Sequence, residues 1–160
     1  MFTKKISIAV IIAAVTVAVF AQSDNRPNWH SPAGSWQGVV TNDGGFPPPF
    51  RVLMTFDGDG GFVGTGDGDN AVGSPQHGVW ERIGGKSSRT YAVTFRQLFY
   101  NPDSSPTGLM KARQTVILNE SGDAWQGPFQ IDIYAADGTT LLFSGTGTAA
   151  ATRIKSEPLP

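Results

Sequence analysis

Few side chains here could do acid–base, nucleophilic or metal chemistry. His30 and His77 are the two histidines. A catalytic zinc usually takes three protein ligands with histidine in the majority, so both would have to meet a carboxylate from a distant turn. Each reads instead as a surface loop residue, and no metal site is expected. Asp57-Gly58-Asp59-Gly60-Gly61 and Asp67-Gly68-Asp69-Asn70 look like calcium loops, but the twelfth position, where an EF-hand needs a bidentate Glu, holds Gly68 or Gly78. Aspartate–glycine pairs also build tight turns, and that is the reading adopted, weak calcium binding by both loops being the alternative. There is no Gly-x-Ser-x-Gly elbow and no serine set beside a histidine and an acid, so no catalytic residue is assigned. A glycosidase would need two carboxyls flanking a cleft, and the acids within strand-like runs are Glu81 and Asp132. Asp132 shares a parity with Gln126 and Gln130, which predicts a water-facing carboxylate. Glu81 shares one with Val79 and Ile83, which would let it turn inward or leave it at the rim. Gly64-Thr65-Gly66-Asp67-Gly68 lacks the lysine and following helix of a phosphate cradle.

Two amides remain, and both interrupt apolar faces. Gln97 lies between Phe95 and Phe99, and Gln114 between Ala112 and Val116. A buried amide without a partner costs about 1–3 kcal/mol. These two therefore either bond within a filled core or orient a ligand inside an aromatic cavity, the mixture of apolar walls and few polar groups that small-molecule sites show. The face in question carries Tyr91, Phe95, Gln97, Gln114, Trp125 and Phe129, and these six are the candidate ligand-binding residues. Arg96 and Arg113, on the opposite parity of neighbouring runs, predict a small exterior basic patch.

What must position these residues can be read from the punctuation. The chain has 160 residues, 20 Gly, 11 Pro and no Cys, which removes thiol catalysis, disulfides and thiolate metal sites. Residues 1–21 read as a signal peptide: Lys4 and Lys5 precede an apolar stretch from Ile6 to Phe20, and Val19-Phe20-Ala21 places small residues where a signal peptidase reads. That stretch is shorter than the ~20 residues a membrane-crossing helix needs, and no later segment approaches it. Beyond it, ten basic side chains face thirteen acidic ones, a net charge of −3. This excludes the clustered basic face of a nucleic-acid binder. A secreted or periplasmic location is expected. Residues 22–32 read as a flexible linker, 33–155 as one domain and 156–160 as a tail.

Within the domain, Gly and Pro clusters separate short β-prone runs. These are Trp36–Thr41, Phe50–Phe56, Phe62–Gly66, Gly78–Ile83, three stronger runs around Tyr91–Phe99, Met110–Leu118 and Trp125–Ile133, and a last one from Thr140 to about Thr148. The glycines of Phe62–Gly66 predict a weak or bulged strand. Apolar residues alternate with polar ones in the stronger runs, giving one dry face and one wet face. Helix should be minor. Eight strands linked by hairpin-length turns predict an all-β, antiparallel up-and-down barrel, because closure removes the exposed edges of a flat meander and a sandwich usually needs longer crossovers.

Gly34-Ser35-Trp36 at the start of the first strand, with Arg153 just after the last, resembles the Gly-x-Trp and closing-arginine signature of the lipocalin or calycin superfamily. That resemblance implies an indole plugging one end of the barrel with the arginine stacked across it. The strand count is also similar to the allene-oxide-cyclase-like barrels, some of which are isomerases or cyclases. The expected role is binding of a small apolar or amphipathic molecule in the barrel without a cofactor. The alternatives are a cofactor-independent isomerase or cyclase using Gln97, Gln114, Tyr91 or Glu81, and a structural barrel with a filled core. The signal reading places the mature N-terminus at Gln22; the intact mass of exported protein should correspond to a chain starting there, and a mass retaining Met1 would contradict it.

Overall fold

A run that alternates apolar and polar side chains can bury one set and wet the other only as an extended strand. The computed structural model describes residues 30–45, 47–67 and 73–159. The strands are β1 (Gly34–Asn42), β2 (Phe50–Phe56), β3 (Gly61–Gly66), β4 (Gln76–Ile83), β5 (Thr90–Tyr100), β6 (Pro106–Leu118), β7 (Ala124–Ala135) and β8 (Leu141–Arg153). No helix occurs among the described residues. The expected signal segment, residues 22–29 of the expected linker and residues 68–72 of the second aspartate–glycine loop lie outside them.

Each strand pairs antiparallel with the next, and β8 returns to β1, giving a closed eight-stranded barrel. The closing seam runs in register from Trp36 opposite Arg153 to Asn42 opposite Gly147. Three strands outrun their apolar signal: β1 starts at Gly34, β4 at Gln76, and β8 continues through Thr152 and Arg153. The third strand, expected to be weak or bulged, carries no bulge, but it is the shortest and pairs with β4 only from Gly61 to Gly64, and Phe62 lies over Gly64. Register shifts occur instead at Phe99/Tyr100 and Ile133/Tyr134.

The two ends of the barrel differ. At the end where β1 starts and β8 finishes, the interior is solid, with Trp36, Tyr91, Val116, Leu118 and Trp125 all nearly inaccessible to solvent. Their rings meet edge to face, Trp36 with Trp125 at 6.4 Å and Trp80 with Tyr91 at 5.6 Å between centroids. Such pairs contribute about 0.5–1.5 kcal/mol beyond the area they bury.

This end is sealed by the chain itself. The Arg153 guanidinium stands 4.2 Å from the centroid of the Trp36 ring, the stacking that the Gly-x-Trp resemblance implied. It also donates to the carbonyls of Ala33 (2.6 Å), Ser31 (3.0 Å) and Gly122 (3.0 Å). Burial draws the Arg153 pKa below its ordinary value, opposed by the charge of Asp123. Gly34 is required here twice: its φ of +126° is unfavourable for other residues, and a Cβ would stand 2.6 Å from the Arg153 Nη1. The described end of the expected linker is fastened rather than loose. Ser31 and Pro32 are buried, Pro32 accepts the Trp36 indole N–H at 2.7 Å, and the carbonyl of His30 accepts from the Tyr91 hydroxyl and from Arg82. Burial raises the Tyr91 pKa, with the Arg82 charge opposing, so the phenol remains a donor at neutral pH.

Arg153→Ala should lower the unfolding free energy by about 2–3 kcal/mol, since it removes a stacked cation and strips three carbonyls of a charged donor. Urea titration measures this directly, and an unchanged midpoint would remove Arg153 from its place as the seal.

Candidate functional site

At the other end, where β1, β3, β5 and β7 finish and the 101–105 and 136–140 connections lie, the interior opens into a cavity of about 900 Å³. Its depth is set by register. Along β6 the lining residues are Met110 and Gln114, and along β7 they are Phe129, Ile131 and Ile133. The next inward side chains toward the sealed end, Val116 on β6 and, past Gly127, Trp125 on β7, belong to the packed core. Gln114, Phe129, Phe95, Phe62, Met54 and Ala149 therefore form the floor. Gly147 makes room for it: a Cβ there would meet the Phe129 ring at 2.6 Å and the Thr41 carbonyl at 2.2 Å. Phe129 can lie against the β8 backbone only because position 147 has no side chain.

Of the six residues expected to bind a ligand, Phe95, Gln97, Gln114 and Phe129 line this cavity. Tyr91 and Trp125 share their face but sit beneath the floor, in the sealed half. The amides differ in how they are satisfied. Gln97 is 2 % exposed and donates from Nε2 to the Ser74 carbonyl at 2.9 Å. Gln114 is 7 % exposed, and its Nε2 has no hydrogen-bond partner among the described residues. A donor left in that state costs about 1–3 kcal/mol. A third buried amide, Gln76 on β4, also lines the cavity. The sequence reading missed it by starting this strand at Gly78; extending the same parity back two residues would have found it.

Among the described residues the charged ones lining the cavity are Asp43 and Asp67, both at its mouth. Asp67 is ion-paired with Arg51, Nε to Oδ2 at 2.7 Å, which holds its pKa below the ordinary carboxylate value. Asp43 accepts from the Thr146 hydroxyl at 2.6 Å. Apolar side chains are exposed around the same rim, with Phe143 at 52 % and Leu142 at 62 %.

Several expectations about charge are corrected. Glu81 is exposed on the outer face of β4, and the inward parity belongs to Gln76, Gly78, Trp80 and Arg82. Asp132 faces outward but is buried, because Arg113 covers it and Ser144 and Gln130 also donate to it. The pairing of Arg113 with Asp132 dissolves the expected basic patch, leaving Arg96 beside Lys111 across the β5–β6 pair. Asp57 accepts from the amides of Asp59 (2.9 Å) and Gly61 (2.6 Å), so this carboxylate organises a turn. Among the described residues no three His, Cys, Asp or Glu side chains are grouped to hold a metal.

Neither a scan against protein-family models nor a search of curated proteins gives a match. Among solved structures the chain is similar to a redesigned β-barrel, with 15 % identity, 77 % of this chain and 91 % of that one covered, and a TM-score of 0.30. A likeness that low carries no functional argument, since unrelated activities share barrel folds.

The rim rests partly on the β7–β8 hairpin, which Asp137 holds by accepting from the Thr139 and Thr140 amides and the Thr140 hydroxyl. These bonds, that of the Thr140 hydroxyl foremost, lower its pKa from 3.8 to about 2. A depressed carboxylate pKa stabilises the fold above the unfolded value, and that stabilisation is lost as pH falls through the folded one. An NMR titration of the Asp137 carboxyl carbon should give a midpoint near 2; an ordinary midpoint near 3.8 would show that the turn bonds do not form.

Proposed function

We propose that this chain is an exported binding protein that takes a small apolar or amphipathic molecule into the open half of its barrel. The observation that carries the reading is the cavity floor, where aromatic and aliphatic side chains surround a buried amide with an unused donor. Two buried donors lack a partner among the described residues, Trp125 Nε1 in the packed half and Gln114 Nε2, and Gln114 is the one that borders the cavity, where a guest can reach it. A ligand acceptor would satisfy it while burying its own apolar surface, at roughly 25 cal/mol per Å².

The isomerase or cyclase reading loses support, because Glu81 lies on the outer face and the Tyr91 hydroxyl is committed to the His30 carbonyl below the floor. The calycin resemblance supports binding to the extent that Trp36 and Arg153 seal one end and leave the other open. Export is supported by the Lys4–Ala21 pattern alone.

A fluorophore that brightens in dry surroundings should bind the purified protein saturably, at one molecule per barrel. Ile131→Trp, which places bulk into the cavity above the floor, should weaken that binding roughly tenfold or more. An absence of saturable binding, or equal binding by the variant, would refute the reading.

A further inference from the structure

We infer that the molecule taken into this cavity is electrically neutral and carries a hydrogen-bond acceptor, such as a ketone, ester or ether oxygen, which enters first and meets Gln114 at the floor. The inference rests on the binding reading above and concerns the chemical class of the ligand.

Three observations converge on it. First, among the described residues no Lys, Arg or His lines the cavity. A carboxylate carried to the floor would lose its hydration without gaining a cation, and an unpaired buried charge is far more costly than an unpaired dipole. Second, the mouth carries Asp43 and Asp67, so the rim gives an anion no attraction. Asp67 is neutralised by Arg51 while Asp43, which accepts only from the neutral Thr146 hydroxyl, keeps its charge; both lie at the mouth, so an ammonium carried to the floor would meet no counter-ion there. Third, the unused group at the floor is an N–H donor, Gln114 Nε2, in a residue more than nine-tenths buried. A donor there selects an acceptor, and its depth fixes the orientation: polar atom down beside Phe95 and Phe129, apolar tail toward Ile133 and Phe143 at the mouth.

The test is calorimetric titration of the full mature protein with matched long-chain probes: a methyl ketone, the fatty acid, the primary amine and the plain alkane. At a pH where the acid is ionised and the amine protonated, the ketone should bind roughly tenfold or more tightly than either ion. It should also exceed the alkane, and Gln114→Leu should erase that last preference. If the acid or the amine binds as tightly as the ketone, the neutral-ligand inference falls while the binding reading stands. If none of the four binds, the binding reading itself falls and takes the inference with it. Equal binding of ketone and alkane to the unaltered protein would overturn the role of Gln114 without relying on the variant's stability.

Discussion

The placement of one cation organises this barrel. Arg153 ends β8, and its guanidinium reaches across the seam to the face of Trp36, to the carbonyls of Ser31 and Ala33 before β1, and to Gly122 in the turn before β7. Three separate stretches of chain are tied at one point. The interior is asymmetric, because Trp36, Trp80, Tyr91 and Trp125 collect on the sealed side while phenylalanines line a half that is left unfilled. A barrel of eight strands has room either for a packed interior or for one small guest. Here the two occur at opposite ends of the same barrel.

The strand interiors support this division. Toward the seal, β6 contributes Val116 and Leu118 and β7 contributes Trp125. Toward the mouth the same strands contribute Met110 and Gln114, and Phe129 to Ile133. On β8 the inward positions Gly145, Gly147, Ala149 and Ala151 are small, so the cavity and the ring cluster both lean against this strand. Outside, the β6–β8 wall is stitched by Asp132 with Arg113, Gln130 and Ser144, a polar network that holds these strands without entering the interior.

Much of the fold was legible because a period of two is a strong local signal. It assigned Phe50 to Phe56, Tyr91 to Phe99, Met110 to Leu118 and Trp125 to Ile133 to the correct inner face, and the turn chemistry between them predicted the meander. Height along the barrel axis was not legible, since it depends on pairing register between strands, which no single run encodes. For that reason Tyr91 and Trp125 were grouped with Phe95 and Gln97 although they lie in the other half. Pro128 illustrates the same limit. It stands inside β7 without an N–H to give, the β6–β7 pairing skips from Gln114 opposite Phe129 to Ile117 opposite Gln126, and the gap is tolerated because the rest of both strands is long and paired. Asp132 was misplaced because alternation reports which face a residue is on, and cannot report that a neighbouring arginine folds over it.

The claim on which the functional account turns is that the floor of the open half receives a ligand acceptor at Gln114. The most direct measurement is the side-chain amide NMR signal of Gln114 during titration with a long-chain methyl ketone. The expected result is a saturable downfield shift of one Gln114 amide proton, with intermolecular contacts to the rings of Phe95 and Phe129. Shifts confined to the exposed rim at Leu142 and Phe143, with the Gln114 signal unmoved, would contradict it.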